Sequence, residues 1–244
     1  MNVICRPLIV VLVAAALAAG CSQQDDEQAA AKQQAAADAA QQKADQARKL
    51  DNYRQLAKQG NDEMTVLQGE DIVQRYPGTD AAKEVQQSLP AVEQRLKDTK
   101  EKARLQALWY YQVAPMQGGT QSTATIYSTL PAGNDRVRLV LRRHTEWGQN
   151  AFLYGNGHGF VCKGNCTINA KVDGKPVGIK GFAPTTGEPA IMIRDDKAFI
   201  ALVEKAKRIT LDVTTKDDEK HETLVYEVGG FDPSKWQPLS KGKK

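Results

Sequence analysis

"RVRLVLRRH", Arg136 to His144, decides how the second half of this 244-residue chain folds. Its apolar residues recur at every second position, the period of a strand and not of a helix. Val137, Leu139 and Leu141 therefore share one face, and Arg136, Arg138, Val140 and Arg142 share the other. The segments around it read the same way. "STATIYST" (122–129) and "NAFLYG" (150–155) are rich in β-branched and aromatic residues. "CTINAKVDGKPVGIKGF" (166–182) reads as two strands about an Asp173–Gly174 hairpin turn, a pair suited to positive φ. "PAIMIRD" (189–195) is a further strand. "ITLDVTT" and "TLVYEVGGF" flank the charged loop "KDDEKHE" as an antiparallel pair. One helix interrupts them: in "DKAFIALVEKAKR" (196–208), Phe199, Leu202, Val203 and Ala206 form an apolar stripe, with Asp195 or Asp196 as its cap. Strands at regular spacing with turn signals between them predict an antiparallel β-sandwich-like domain over 121–236.

Upstream the period changes to that of a helix, which makes the fold class α+β. Over 50–113 the expectation is a helical hairpin. Asn61 and Asp62 cap a helix running towards Tyr76, with Met64, Leu67, Ile72, Val73 and Tyr76 on its apolar side. "YPGTD" (76–80) ends it, since Pro77 disfavours helix at Tyr76 and Gly78 permits a sharp turn. A second helix starts at Thr79 or Asp80, and Pro90 kinks it or restarts it with Ser88 as a new cap. Its stripe continues through Val92, Leu96, Thr99, Ala103 and Ala107 to Tyr110, and "LWYYQV" (108–113) is the expected docking point onto the β domain. "IVQRYPGTDAAKEVQQSL" (72–89) resembles the helix-turn-helix corner of tetratricopeptide-type repeats. One such unit does not make a solenoid, so a packed hairpin is the expectation.

Residues 21–49 are almost wholly Ala, Gln, Asp, Glu and Lys. They lack the large apolar side chains of a core yet favour helix, as a partly helical tether would. An Ala-based coiled coil is the alternative, although the alanines come in runs rather than at heptad positions. Residues 1–20 have the parts of an export signal: a positive start with Arg6, an uncharged apolar run from Leu8 to Ala19, and small residues before Cys21. The run is too short to span a bilayer. "AAGC" (18–21) resembles the lipobox of bacterial lipoproteins, with Ala18 where that family prefers leucine. The resemblance implies removal of the signal, acylation of Cys21 and a stable lipid anchor. Ser22, in place of the aspartate that favours inner-membrane retention in that family, implies the outer membrane and a periplasm-facing body.

Of four cysteines, Cys5 leaves with the signal and Cys21 carries lipid, which leaves Cys162 and Cys166. In an oxidising compartment the default for such a pair is a disulfide. A zinc site with His158 and a redox-active pair are the rival readings, disfavoured by ligand number and by spacing.

The net charge is +4, or one less without Arg6, too small an excess to argue for nucleic acid. The basic tail over 237–244, ending in "SKGKK", reads as solvated. His144 beside Glu146, and His221 in an acidic loop, read as solvent-facing. "GNGHGF" (155–160) lacks the helix of a dinucleotide fingerprint and the lysine of a phosphate loop. The order "CTINAKVDGKP", "IMIRDDKAFIALVEKAKRITLDV", "LVYEVGGFD" resembles uncharacterised bacterial envelope domains, type VI secretion-associated periplasmic proteins and the invasion-associated locus B family. That likeness spans about Val137 to Trp236 and transfers no catalytic residue.

The expected function is therefore a non-enzymatic lipoprotein with no cofactor and no metal, binding a periplasmic or envelope protein such as a secretion component, an envelope enzyme or an inhibited effector. Its membrane contact is the lipid on Cys21, it binds no nucleic acid, and its oligomeric state is left open. The candidate binding loops carry Tyr154, Asn156, His158, Phe160, Asp217, Asp218 and His221. A periplasmic cell-wall hydrolase or modifying enzyme using His158, and a structural envelope component binding peptidoglycan, are the alternatives.

Overall fold

The computed structural model describes residues 20–157 and 159–239. The signal segment before Gly20, the side chain of Cys21, His158 and the basic end at 240–244 lie outside the described residues. The architecture is α+β: helices come first, then a nine-stranded antiparallel sheet with one short helix. The chain divides into two compact units, residues 1–96 and 97–244.

In the first unit, α1 (Gly20–Lys58) runs without a break past residue 49, so the Ala/Gln-rich segment is helical throughout its described length. Residues 26–44 are exposed on every side. Intrinsic propensity and i,i+4 pairs such as Gln34–Asp38 hold that stretch, because no apolar face is buried. Packing begins near Asp45. Leu50 and Tyr53 of α1 meet α2 (Asp62–Arg75) and the start of α3 (Asp80–Ala107) in a core of Ile72, Tyr76, Ala81, Val85 and Leu89. Gly69 permits the close approach, since a Cβ there would lie 2.8 Å from Leu89 Cδ1 and 3.0 Å from Tyr53 Cε2.

Asn61 caps α2 by accepting from Met64 N–H, and Thr79 Oγ1 accepts from Ala82 N–H at the start of α3. Pro90 neither ends α3 nor restarts it. Ser88, instead of capping a new helix, bonds back to the carbonyls of Glu84 and Val85 and meets the Tyr53 hydroxyl at 2.7 Å. Among its described residues the unit is thus three helices, not a two-helix hairpin.

The second unit corrects one boundary. Helix α3 ends at Ala107, and the expected docking segment is the first strand of the sheet, β1 (Trp109–Met116). Trp, Tyr and Val favour a pleated surface, and pairing with β2 (Gly119–Tyr127) in register over all eight residues overrides the helical spacing. The remaining strands are β3 (Arg138–His144), β4 (Gly148–Tyr154), β5 (Asn165–Val172), β6 (Lys175–Phe182), β7 (Ala190–Ile193), β8 (Ile209–Thr214) and β9 (His221–Tyr226). Their order is β1-β2-β3-β4-β7-β6-β5-β8-β9, with every pair antiparallel.

This single sheet curls back on itself. Thr129 N–H donates to Val225 O at 2.7 Å and Val225 N–H donates to Leu130 O at 3.0 Å, so β9 reaches the end of β2. The inner faces of the two halves enclose one core, the packing that a sandwich achieves with two sheets. Leu139, Leu141, Leu153, Ile209, Leu211 and Leu224 are fully buried there, each contributing roughly 1.5–3 kcal/mol. Helix α4 (Asp196–Val203), capped by the Asp195 carboxylate on Ala198 N–H, adds Phe199, Ile200 and Val203 to the same core. The Asp173–Gly174 turn has φ of 49° and 83°, the signature of a type I′ hairpin. Among the described residues β1 pairs only with β2, so its other edge is free. The C-terminal segment is structural: Trp236 is 1 % exposed, donates from Nε1 to Ser122 O at 3.1 Å, and lies 3.7 Å beneath the Arg143 guanidinium.

Candidate functional site

Alternation along β3 puts Arg138, Val140, Arg142 and His144 on the face turned away from the core, and strand register determines what stands beside each. Val140 lies in a lateral row with Tyr110, Thr125, Phe152 and Met192, running across five strands. Phe182 of β6 continues it through its pairing with Met192. On one side runs Tyr127, Arg138, Tyr154 and Ala190; on the other, Gln112, Thr123, Arg142 and Asn150. Together these rows floor a groove of ≈ 1580 Å³, walled by the loop at 183–188.

The groove is cationic and aromatic together. Arg138 lies 4.5 Å above the Tyr154 ring, Arg136 lies 5.0 Å above Tyr127, and Arg142 stands 5.0 Å from Phe152 and 5.2 Å from Trp147. Each guanidinium is thus held over a π-face that favours its charge. Glu188 is the one carboxylate among the described lining residues, against three arginines. A hydrogen bond from the Thr186 hydroxyl, followed by a backbone N–H, holds the Glu188 carboxyl below the ordinary glutamate value.

Arg142 carries a buried donor without a partner. It donates from Nη2 to Asn150 Oδ1 at 2.9 Å, while its Nε is shut off from solvent and has no acceptor. Burial depresses its pKa below the usual arginine value, with the Glu188 charge acting the other way. Neither Arg138 nor Arg142 has an ion-pair partner within 4.0 Å among the described residues. An anion entering the groove would supply what both lack.

His144 departs from the solvent-facing expectation. It belongs to the groove face by register, yet it is only 3 % exposed, because the β3–β4 turn folds Trp147 over it.

The loops singled out in the sequence do meet. Phe160 bridges to Thr215, Val161 N–H donates to Thr214 O at 2.7 Å, and Lys216 N–H donates to Gly159 O at 2.9 Å. Their side chains divide by role. Tyr154 lines the groove. Phe160 is a core residue, 3 % exposed, with its ring so close to Gly155 that a Cβ there would lie 2.8 Å from it; it is not presented to a ligand. Asn156 donates to the Asn134 carbonyl, and Asp217 abuts Gly157. Asp218 accepts from the Thr215 hydroxyl and Lys220 N–H, in that order the chief reasons its pKa is lowered. His221 Nδ1 is 2.9 Å from Thr214 Oγ1. Asp218 and His221 therefore bond within their own hairpin, while Asn156 reaches the loop at Asn134. Cys162 and Cys166, at the start of β5, stand at disulfide distance with Cα atoms 5.4 Å apart.

Arg138, Arg142, Phe152, Trp147 and Tyr110 were not singled out from sequence as a site. The arginines at alternate positions of one strand were the available signal, but the rings beside them come from other strands. Among the described residues no group of three or more His, Cys, Asp or Glu is placed to hold a metal, and no helix is long and apolar enough to cross a membrane. Comparison with family models, curated proteins and solved structures found no match.

Proposed function

We propose that this chain is an envelope lipoprotein, anchored in the outer membrane through lipid on Cys21, that binds a protein partner in the groove of its sheet unit and catalyses no reaction. The observation that carries the binding role is the groove itself. Guanidinium groups over aromatic rings, flanked by amides and hydroxyls, supply recognition chemistry, and the same residue types dominate the energetic centres of protein interfaces. The ionisable groups lining it are arginines, phenols and Glu188, a set suited to holding charge rather than to passing protons at neutral pH. The apolar run before Cys21 supports the compartment, as does a cysteine pair at disulfide distance.

Two measurements test the reading. Mass spectrometry of the amino-terminal peptide should show acylated Cys21 as the first residue. A photo-crosslinking residue placed at Thr123, on the groove floor, should give one discrete adduct in cells, whereas the same residue at Lys175, on the β5–β6 hairpin, should give none. An unmodified Cys21 removes the lipoprotein assignment, and equal labelling from both positions removes the groove.

A further inference from the structure

The chemistry of the groove specifies its occupant more closely. Arg138 and Arg142 lie on the same face of β3, four residues apart, so their backbone positions are about 14 Å apart. Between them lies the apolar row of Tyr110, Val140 and Phe152. Arg138 and Arg142 are each pinned over a different ring. A phosphate group draws several donors onto one point, whereas Arg138 and Arg142 are held over rings on different rows of the sheet. A chain carrying single negative charges at wide intervals, with an apolar group midway, matches this spacing. An extended polypeptide has that form, because its side chains on one face recur about every 7 Å.

Resting on the reading of this groove as the binding face, we propose that it takes an extended acidic segment of a partner protein lying along β3. The segment places one carboxylate at Arg138, a second four residues further on at Arg142, and an apolar side chain between them over Val140 and Tyr110. Arg142 Nη1 then gains an anionic acceptor, since Asn150 takes only Nη2, and Arg138 gains an ion pair. Glu188, on the rim beside Arg142, biases the site against a segment with carboxylates at consecutive positions.

The test uses the full chain in detergent and a synthetic probe, acetyl-Gly-Thr-Glu-Thr-Leu-Thr-Glu-Thr-Gly-amide, followed by calorimetric titration and Trp147 fluorescence. Binding should weaken as salt rises. It should fall about tenfold when the two glutamates are moved to a three-residue spacing, and by a similar factor for Arg138→Gln or Arg142→Gln, each variant checked for an unchanged circular dichroism melt. Arg138→Glu should reject the probe and accept a version with lysine at the matching position, which sets the register and does not depend on a loss alone. Binding that ignores the spacing, or a sulfated polysaccharide or second copy of this chain bound as tightly as the probe, overturns the proposal. Should the probe not bind while the crosslink from Thr123 still yields a discrete adduct, the acidic segment is refuted and the groove stands. Loss of both refutes the groove as well.

Discussion

Trp147 lies flat on His144, with ring centroids 3.9 Å apart and planes 12° from parallel. The imidazole also organises the turn that carries the indole, since His144 Nδ1 accepts from Glu146 N–H at 3.1 Å and from Trp147 N–H at 3.2 Å. An Nδ1 that accepts leaves the proton of the neutral ring on Nε2. That atom is buried without a partner.

His144→Phe keeps a ring for Trp147 to stack on but leaves the two N–H groups unpaired. The expected outcome is a loss of about 1 kcal/mol and a looser β3–β4 turn. Trp147 is 46 % exposed while Trp109 and Trp236 are buried, so iodide quenching of fluorescence reports this turn. Quenching identical to that of the parent protein would show that the imidazole does not organise it.

Gly230 packs where no side chain fits. A Cβ there would lie 2.1 Å from the Leu105 carbonyl carbon and 2.4 Å from Gln106 N, and backbone cannot step aside as a side-chain tip can. Gly230→Ala should therefore destabilise the sheet unit by about 3 kcal/mol or more. At Gly178 of β6 the nearest atom, Thr167 Cγ2, is 3.6 Å away, so Gly178→Ala should change stability by less than about 1 kcal/mol. Urea unfolding of the two variants side by side checks the contrast, and equal midpoints would contradict it.

The Cys162–Cys166 pair closes a short loop at the entrance to β5. By loop entropy, replacing both with serine should lower stability by about 2 kcal/mol. Thiol titration of the denatured, unreduced protein should find neither residue free; two reactive thiols there would refute the bridge.

Three carboxylates couple the helical unit to pH. Hydrogen bonds from Tyr76, Lys49 and Arg54 are the leading reasons that Asp45, Asp71 and Glu84 respectively titrate below their ordinary values. A folded pKa below the unfolded one means that the stabilisation is complete above the unfolded value, near 4, and is lost as pH falls through the folded value. Thermal melts followed at 222 nm should thus shift down between pH 6 and pH 2, and Asp71→Asn should shrink the shift. A helical transition indifferent to acid would count against these contacts.

How much of this could be read in advance depended on range along the chain. Asn61 and Asp195 as caps, the Asp173–Gly174 turn and the two faces of Arg136 to His144 are local, and each takes the expected form. The assignment failed at Trp109–Met116, where the apolar spacing suits either period and pairing with β2 decides. The restart at Pro90 failed too: α3 continues through it, with Val85, Leu89 and Val92 buried along its length. The groove was out of reach for the same cause. Tyr154 is sixteen residues from Arg138 in sequence, and Met192 is forty from Phe152, yet each pair is brought together by ladders that no local pattern specifies. The burial of His144 depends on a turn that folds back over its own strand.

The bare margin of β1 bears on how the protein behaves in concentrated solution. Its eight residues carry no charge, and about half of their backbone N–H and C=O groups, at alternate positions, point away from β2. Molecules crowded together are therefore primed to zip border to border there, with turbidity rising steeply on concentration. One ammonium group set on that rim by Val113→Lys should keep the solution clear.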